Sequence, residues 1–241
     1  MVVLILILPE FILLNPDPTT PADIQLPETI PEKPLPGDMN NILANVPQAF
    51  TQNRGQLEND EVRFYDQSGG VWFTDDSVWF ELREYDDTRG QGGISGLDLD
   101  PMTILEPPET VEYKRVVLKQ EFVGANQVQP IGKERLSWNS NFFYGNDSEK
   151  WCSDVPNYAE IYFENLYDGI DLRYYSNKKG LKYDLIVHPG ANYKQIKIKF
   201  IGADGLKIDQ SGNVIIKTQG KEMRDSNLFI YQEYFGNPHT I

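Results

Sequence analysis

The stretch FVGAN at residues 122–126 returns as FIGAD at residues 200–204, and the residues that precede each copy return with it. VRFYDQSGGVWF at 62–73 lies before the first copy, and LRYYSNKKGLKY at 172–183 lies before the second. Self-similarity of this kind indicates one supersecondary unit that is used twice. We therefore predict an internal duplication, and this prediction sets the architecture before any single residue is considered.

Both copies are rich in residues that favour strands. The chain contains 13 Tyr and 12 Phe, and its 19 Gly and 16 Pro supply many turns. IKIKF at 196–200 alternates apolar and lysine side chains, which is the period of a strand with one buried face. The sequence predicts an all-β fold with β-sandwich architecture. The first β unit spans 39–137 and the second spans 138–241, packed either as two halves or as one domain.

Local patterns give the strand predictions. A three-strand meander is expected over 62–82, because turn residues separate its short apolar runs. A long strand is expected over 111–123, and a further strand over 128–138 with a turn at Gly132. The second unit is predicted to contain strands at 161–163, 170–175, 181–187, 195–201, 205–208 and 213–218, and one helical turn is predicted near 41–45.

The first 38 residues read differently from the rest of the chain. Residues 1–14, MVVLILILPEFILL, are too short an apolar run to span a bilayer and resemble the apolar core of a secretion signal or an anchor. The alternative is a buried N-terminal strand. Residues 15–38 contain seven prolines among acidic residues and threonines, which predicts a disordered, extended linker. The sequence therefore favours export.

The charge and the cysteine count exclude several classes of function. A net charge of −14 argues against binding to nucleic acid and against peripheral binding to anionic lipid. Membrane contact is then expected only through an N-terminal anchor. Cys152 is the single cysteine, so the chain cannot form an internal disulfide. Cys152, His188 and His239 show neither zinc-ligand spacing nor a catalytic signature. We expect no catalytic residues and no enzyme activity.

Calcium is the most plausible cofactor. Asp86, Asp87, Asp98 and Asp100 lie in one Gly- and Asp-rich loop, and carboxylate oxygens on a flexible loop suit Ca²⁺. No EF-hand pattern accompanies them. The alternative is a solvated acidic loop without a metal.

Aromatic residues suggest a second kind of site. Trp72 and Trp79 of the first meander, with their counterparts Tyr174 and Tyr175, would suit sugar stacking if the strands turned them to solvent. Aromatic pairs across neighbouring strands also stabilise a sheet without any ligand, and this alternative stays open. Trp138 and Trp151 are predicted to anchor the core.

Several short motifs make the chain similar to a known family. They are NRGQ at 53–56, NFF-x-G at 141–145, Lys150-Trp151, VP-x-Y at 155–158, LYDGIDLRYY at 166–175, YDLIVHPGA at 183–191 and FIGA at 200–203. Together they resemble an uncharacterised all-β domain of secreted bacterial and archaeal surface proteins, which stands before SBBP β-propeller-type repeats and PKD or Ig-like modules. The resemblance implies location and context, and it brings no catalytic residues. Its motif residues are Asn53, Arg54, Gly55, Gln56, Asn141, Gly145, Trp151, Asp168, Gly169, Asp171, Pro189, Gly190 and Gly202.

Three functions remain in competition. The leading hypothesis is a non-catalytic exported module at the cell surface, which serves structure or adhesion or caps downstream repeats outside this chain. The first alternative is a carbohydrate-binding module that uses exposed aromatic side chains. The second is a hydrolase with an unrecognised carboxylate pair, for which Asp168 and Asp171 are weak candidates. The expected partners are other surface proteins or extracellular glycans.

Overall fold

The computed structural model describes residues 2–4, 10–12, 49–67, 70–85, 113–177, 180–219, 222–225, 231–234 and 237–240. Within these residues nearly all regular structure is strand, and the helical content is limited to single 3₁₀ turns. The predicted helical turn near 41–45 and the linker at 15–38 lie outside the described residues. The strands are β1 Val2–Leu4, β2 Glu10–Ile12, β3 Phe50–Gln52, β4 Phe64–Asp66, β5 Val71–Phe73, β6 Ser77–Tyr85, β7 Tyr113–Phe122, β8 Ile131–Phe142, β9 Cys152–Tyr167, β10 Ile170–Asn177, β11 Gly180–Val187, β12 Lys197–Ile201, β13 Gly205–Ile208, β14 Val214–Lys217, β15 Glu222–Asp225, β16 Tyr231–Tyr234 and β17 Asn237–Thr240.

Two sheets enclose the main core. The large sheet has 14 strands in the order β17-β16-β1-β11-β10-β9-β3-β4-β5-β6-β7-β12-β2, with β8 paired to β9 outside this path. The small sheet has the order β13-β14-β15. Val214 and Ile216 of the small sheet belong to the same buried cluster as Phe73, Phe163 and Leu172 of the large sheet. The all-β class and the sandwich arrangement of two sheets about one core are therefore confirmed.

The two copies of the repeated phrase lie side by side. Strands β7 and β12 pair antiparallel, with Phe122 opposite Ile198 and Gln120 opposite Phe200. Because Phe122 and Phe200 are equivalent residues of the two copies, this register relates the strands by a local two-fold axis. The axis passes between Glu121 and Lys199, whose side chains form an ion pair at 3.5 Å. The large sheet is thus continuous from one predicted unit into the other.

The two similar hairpins contribute aromatic side chains to the main core. In the hairpin β4–β5, Phe64 lies opposite Phe73, and in β10–β11 Tyr174 lies opposite Tyr183. The ring of Tyr174 contacts Phe73 edge-on at 5.2 Å, so the two hairpins also meet each other in the core. Tyr174 is fully buried, and its hydroxyl donates to Gln120 Oε1 at 2.9 Å. This bond satisfies a polar group that would otherwise be costly to bury.

Most of the strand predictions are confirmed, but the predicted turn at Gly132 is wrong. Gly132 lies within β8, where the ring of Tyr158 on β9 packs over it. A Cβ atom at this position would come within 2.4 Å of that ring, so glycine here makes room for an aromatic side chain. Strand β9 is also longer than predicted, because it begins at Cys152. A glycine in a strand interior marks a close approach as readily as a turn.

The apolar N-terminal segment contributes two short strands. Val2–Leu4 pairs antiparallel with both β11 and β16, and Glu10–Ile12 pairs parallel with β12. The alternative prediction for residues 1–14 was an N-terminal strand of the fold, and such a strand would pair in this way. No helix in the described part of the chain has the length and apolar character needed to cross a membrane.

A half-buried carboxyl joins the small sheet to the large one. The Tyr183 hydroxyl on β11 donates to Asp225 Oδ2 on β15 at 2.5 Å. Burial raises the pKa of Asp225, and this effect outweighs the Tyr183 hydroxyl and the nearby Lys182, which both lower it. The folded chain therefore holds the Asp225 proton more tightly than the unfolded chain does.

We expect the pH dependence of stability to carry the sign of this shift. A raised pKa contributes stability that is full below the ordinary pKa of 3.8 and is lost as the pH rises through the folded pKa. Asp225→Asn keeps an acceptor for Tyr183 but cannot ionise. Relative to that of the wild type, the unfolding free energy of this variant should therefore rise between about pH 4 and about pH 7. Urea unfolding at each pH measures the difference.

Asp209 provides a control of opposite sign. Hydrogen bonds from the Asn213 side chain and backbone lower the pKa of Asp209, although burial opposes them. Asp209→Asn should therefore lose stability relative to the wild type as the pH rises toward the ordinary pKa of 3.8, and the difference should stay constant above it. A fall in the stability of Asp225→Asn relative to the wild type above about pH 4 would contradict a raised pKa for Asp225.

Candidate binding site at the tip of the β8–β9 hairpin

Strands β8 and β9 form a long hairpin whose outer edge is irregular. Strand β8 pairs only with β9 within the described part of the chain, and the register shifts between Arg135 and Asn139 and again between Ser140 and Phe142. Glu134, one residue before the first shift, and Asp154, opposite the second, adopt positive φ angles of 53° and 55°. Bulges and charged side chains at an edge discourage a further strand from pairing there. The edge of β8 is therefore poorly suited to extension of the sheet.

The tip of this hairpin exposes a group of aromatic side chains. Phe143 is 61% exposed, Trp151 is 43% exposed and Tyr144 is 37% exposed. We call these three residues the tip aromatics. Trp138, on β8, is exposed to a similar extent. Large apolar side chains exposed together on a soluble domain commonly mark an interaction site.

Two ring pairs and one hydrogen bond fix the tip aromatics in place. The rings of Phe143 and Trp151 meet edge to face, with centroids 5.3 Å apart and planes at 78°. The ring of Tyr144 lies 6.0 Å from that of Phe142. Trp151 Nε1 donates to the carbonyl of Gly145 at 3.4 Å, and Gly145 turns the chain there with a φ of 62°. The site is therefore organised before any ligand arrives.

A second small core supports the tip from below. Val62, Tyr65 and Trp72 are buried together on the face of the meander opposite the main core, and Phe142 packs against them. Burial raises the pKa of Tyr65 to about 12, and its hydroxyl accepts a hydrogen bond from Gln56 Nε2. Phe142 thus ties the hairpin to the body of the domain immediately before the tip begins.

The NRGQ motif forms the loop that closes this second core. The Asn53 carboxamide donates to the carbonyls of Asn59 and Val62 and accepts from the backbone N–H groups of Gly55 and Leu57. Gln56 donates to the Gln52 carbonyl and accepts from the Arg54 N–H. Leu57 packs against the second core. The motif therefore has a structural explanation, because its amide side chains satisfy the backbone of a tight loop.

Other motif residues also hold turns and bulges. Asn141 Oδ1 accepts from the N–H of Asp154, which fastens the bulge opposite it. Gly169, Gly190 and Gly202 have φ angles of 72°, 86° and 90°, in the left-handed region that favours glycine. Arg54 Nε donates to Gln52 Oε1 at 3.3 Å.

The polar rim of the tip is acidic. Asp147, Glu149 and Asp154 are exposed around it, and Lys150 is the exposed cation beside them. Asp147 also accepts from the N–H of Glu149 and begins a 3₁₀ turn over Ser148–Lys150. The tip therefore presents apolar rings within a rim of carboxylate and amide groups.

The predicted ligand-binding aromatics are not exposed as the sugar-stacking hypothesis requires. Trp72 is 2% exposed in the second core and Tyr174 is 0% exposed in the main core, so the prediction is wrong for both. Trp79 is half-buried beneath Lys119 Nζ, which lies 5.4 Å from its ring centroid. Tyr175 is half-buried, with the Arg173 guanidinium 4.6 Å from its ring centroid. One buried cluster covers each face of the meander. The alternation of side chains along a strand shows which residues share a face, but it does not show what packs on that face.

The prediction that Trp138 and Trp151 anchor the core is also wrong. Both lie on the β8–β9 hairpin, which extends beyond the two buried clusters, and both are exposed. The predicted calcium ligands Asp86, Asp87, Asp98 and Asp100 lie outside the described residues. Within the residues that are described, no three acidic, histidine or cysteine side chains form a group that could hold a metal ion.

The candidate catalytic residues have structural partners. His188 Nε2 lies 2.8 Å from Asp171 Oδ2, and Asp171 Oδ1 accepts from the N–H of Asn165. Asp168 Oδ1 accepts from the Asn126 carboxamide at 3.3 Å. Cys152 lies at the hairpin, with its thiol 3.8 Å from the carbonyl of Arg54. The contacts of Asp168 and Asp171 fasten the turn between β9 and β10, as a structural role requires.

A family model described as "Domain of unknown function (DUF7948)" matches residues 50–241. No curated protein matches the chain, and no solved structure matches it.

Proposed function

The chain belongs to this family of domains of unknown function, and we propose that it is a non-catalytic surface module that adheres to its partner through the tip aromatics. The observation that carries the proposal is the exposure of Phe143, Tyr144 and Trp151 on a hairpin that the NRGQ loop and the second core hold in place. Exposed rings contribute little to folding, whereas aromatic side chains dominate many recognition surfaces.

The proposal includes location and context. The Pro-rich residues 15–38 support display of the domain at the cell surface, because an extended spacer holds a module away from a surface. The similarity to domains that precede SBBP and PKD modules supports a role beside such repeats. The bulged edge of β8 favours adhesion through the tip over capping by strand addition.

Binding to the cell envelope tests the proposal. Envelopes from the organism that makes the protein are sedimented with the full chain, with Phe143→Ser/Trp151→Ser and with the control Tyr193→Ser, whose ring is 38% exposed elsewhere. We expect the wild type and the control to sediment and the tip variant to lose at least 10-fold in affinity, or about 1.4 kcal/mol. Equal sedimentation of all three proteins, or of none, would contradict the proposal.

A further inference from the structure

We infer that the tip aromatics bind single chains of a neutral, non-crystalline polysaccharide exposed at the cell surface. The inference rests on the proposed function and specifies the ligand of that site. Four features of the tip carry it: the angle between its rings, its polar rim, its charge and its size.

The ring geometry fits a single sugar chain. Phe143 stands across Trp151 at 78°, so the two rings form a corner rather than a flat platform. A pyranose ring has apolar C–H faces that can stack on the indole of Trp151 while its edge contacts Phe143. The flat surface of a crystalline polysaccharide would need coplanar rings. The corner therefore favours a free chain.

The rim supplies the hydrogen bonds that sugar hydroxyls need. Asn146 and Ser148 are exposed in the turn between Tyr144 and Trp151, as are the carboxylates of Asp147 and Glu149. Hydroxyl groups donate well to carboxylates, and bonds to a charged acceptor are stronger than neutral ones. Apolar rings beside short polar groups match a ligand that carries both C–H faces and hydroxyls.

The charge of the tip excludes polyanions. Asp147, Glu149 and Asp154 outnumber Lys150 around the tip, and the whole chain carries −14. A polyanionic ligand would be repelled by both the local and the overall charge. A neutral polysaccharide avoids that repulsion, which decides between the two classes of glycan.

The size of the tip argues against a protein partner. If each ring carries about 150–250 Å² of surface, the exposed parts of the three rings amount to roughly 300 Å². A stable protein interface buries about 800 Å² on each partner. An area of roughly 300 Å² is enough for a few sugar units.

Affinity electrophoresis of the full chain in native gels tests the inference. The gels contain mixed-linkage β-glucan, xylan, mannan or dextran, with polygalacturonate as the charged counterpart. We expect at least one neutral polysaccharide to retard the wild type and Tyr193→Ala, but not Trp151→Ala, and polygalacturonate to have no effect. Emission from the exposed Trp138 and Trp151 provides a second readout, because a stacked sugar should shift it.

Four results would overturn the inference. In the first, no neutral polysaccharide retards the wild type; in the second, a neutral polysaccharide retards Trp151→Ala as much as the wild type. In the third, polygalacturonate retards the wild type. In the fourth, the wild type binds crystalline cellulose and Trp151→Ala does not. Envelope binding that needs the tip aromatics, without binding to any of these polysaccharides, would overturn this inference and leave the proposed function standing.

Discussion

Trp72→Ala should lower the free energy of unfolding by about 3–5 kcal/mol, the usual cost of truncating a large buried aromatic side chain. Trp72 is 2% exposed and is the largest side chain of the second core, where it packs with Val62 and Tyr65. Its removal would leave a cavity beneath the NRGQ loop and the base of the hairpin. Urea unfolding followed by far-UV circular dichroism measures the change.

Trp151→Ala is the matched control for that experiment. Trp151 is 43% exposed and makes one ring contact and one long hydrogen bond, so its truncation should cost less than about 1 kcal/mol. The same substitution thus separates a tryptophan of the core from a tryptophan of the tip. Equal costs for the two variants would contradict the division of the aromatic residues into buried and exposed groups.

Gly202→Ala should destabilise the domain by about 3 kcal/mol or more. Gly202 has a φ of 90°, which costs a side chain about 1–2 kcal/mol. A Cβ atom there would also lie 2.5 Å from the carbonyl oxygen of Val117, so the backbone of β7 would have to move. This contact lies where the two copies of the repeat meet.

The repeat itself provides the control for Gly202. Gly124 occupies the same place in the first copy and has a φ of 72°, but a Cβ atom there would meet nothing within 4 Å. Gly124→Ala should therefore cost only the conformational term of about 1–2 kcal/mol. Urea unfolding of the two variants side by side measures the difference. Equal losses would show that the close approach to Val117 is unimportant.

Local patterns in the sequence were sufficient to predict much of the fold. The alternation in β12 and the turn residues of the two hairpins predict strands that the structure confirms. The repeated FVGAN and FIGAD phrases indicate a duplication, but their antiparallel pairing across Glu121 and Lys199 could not be predicted. Pairing partners depend on long-range contacts, which no local pattern records.

The candidate site was harder to predict than the strands. Alternation along β5 and β10 indicates which side chains share a face, but it does not show that a second core covers the outer face at Trp72. The sequence patterns assign no binding role to Phe143 and Tyr144, although both residues lie between Asn141 and the polar turn at 145–149. A run of aromatic residues that enters such a turn is the signal that could have found them.

Trp151 should contribute to binding and not to folding. The most direct test is a binding isotherm of Trp151→Ala on the cell envelope, made after urea unfolding has confirmed that the stability of this variant lies within about 1 kcal/mol of the wild type. We expect a dissociation constant at least 10-fold higher than that of the wild type, or a difference of about 1.4 kcal/mol. An unchanged dissociation constant in this stable variant would show that the tip aromatics are not the binding site.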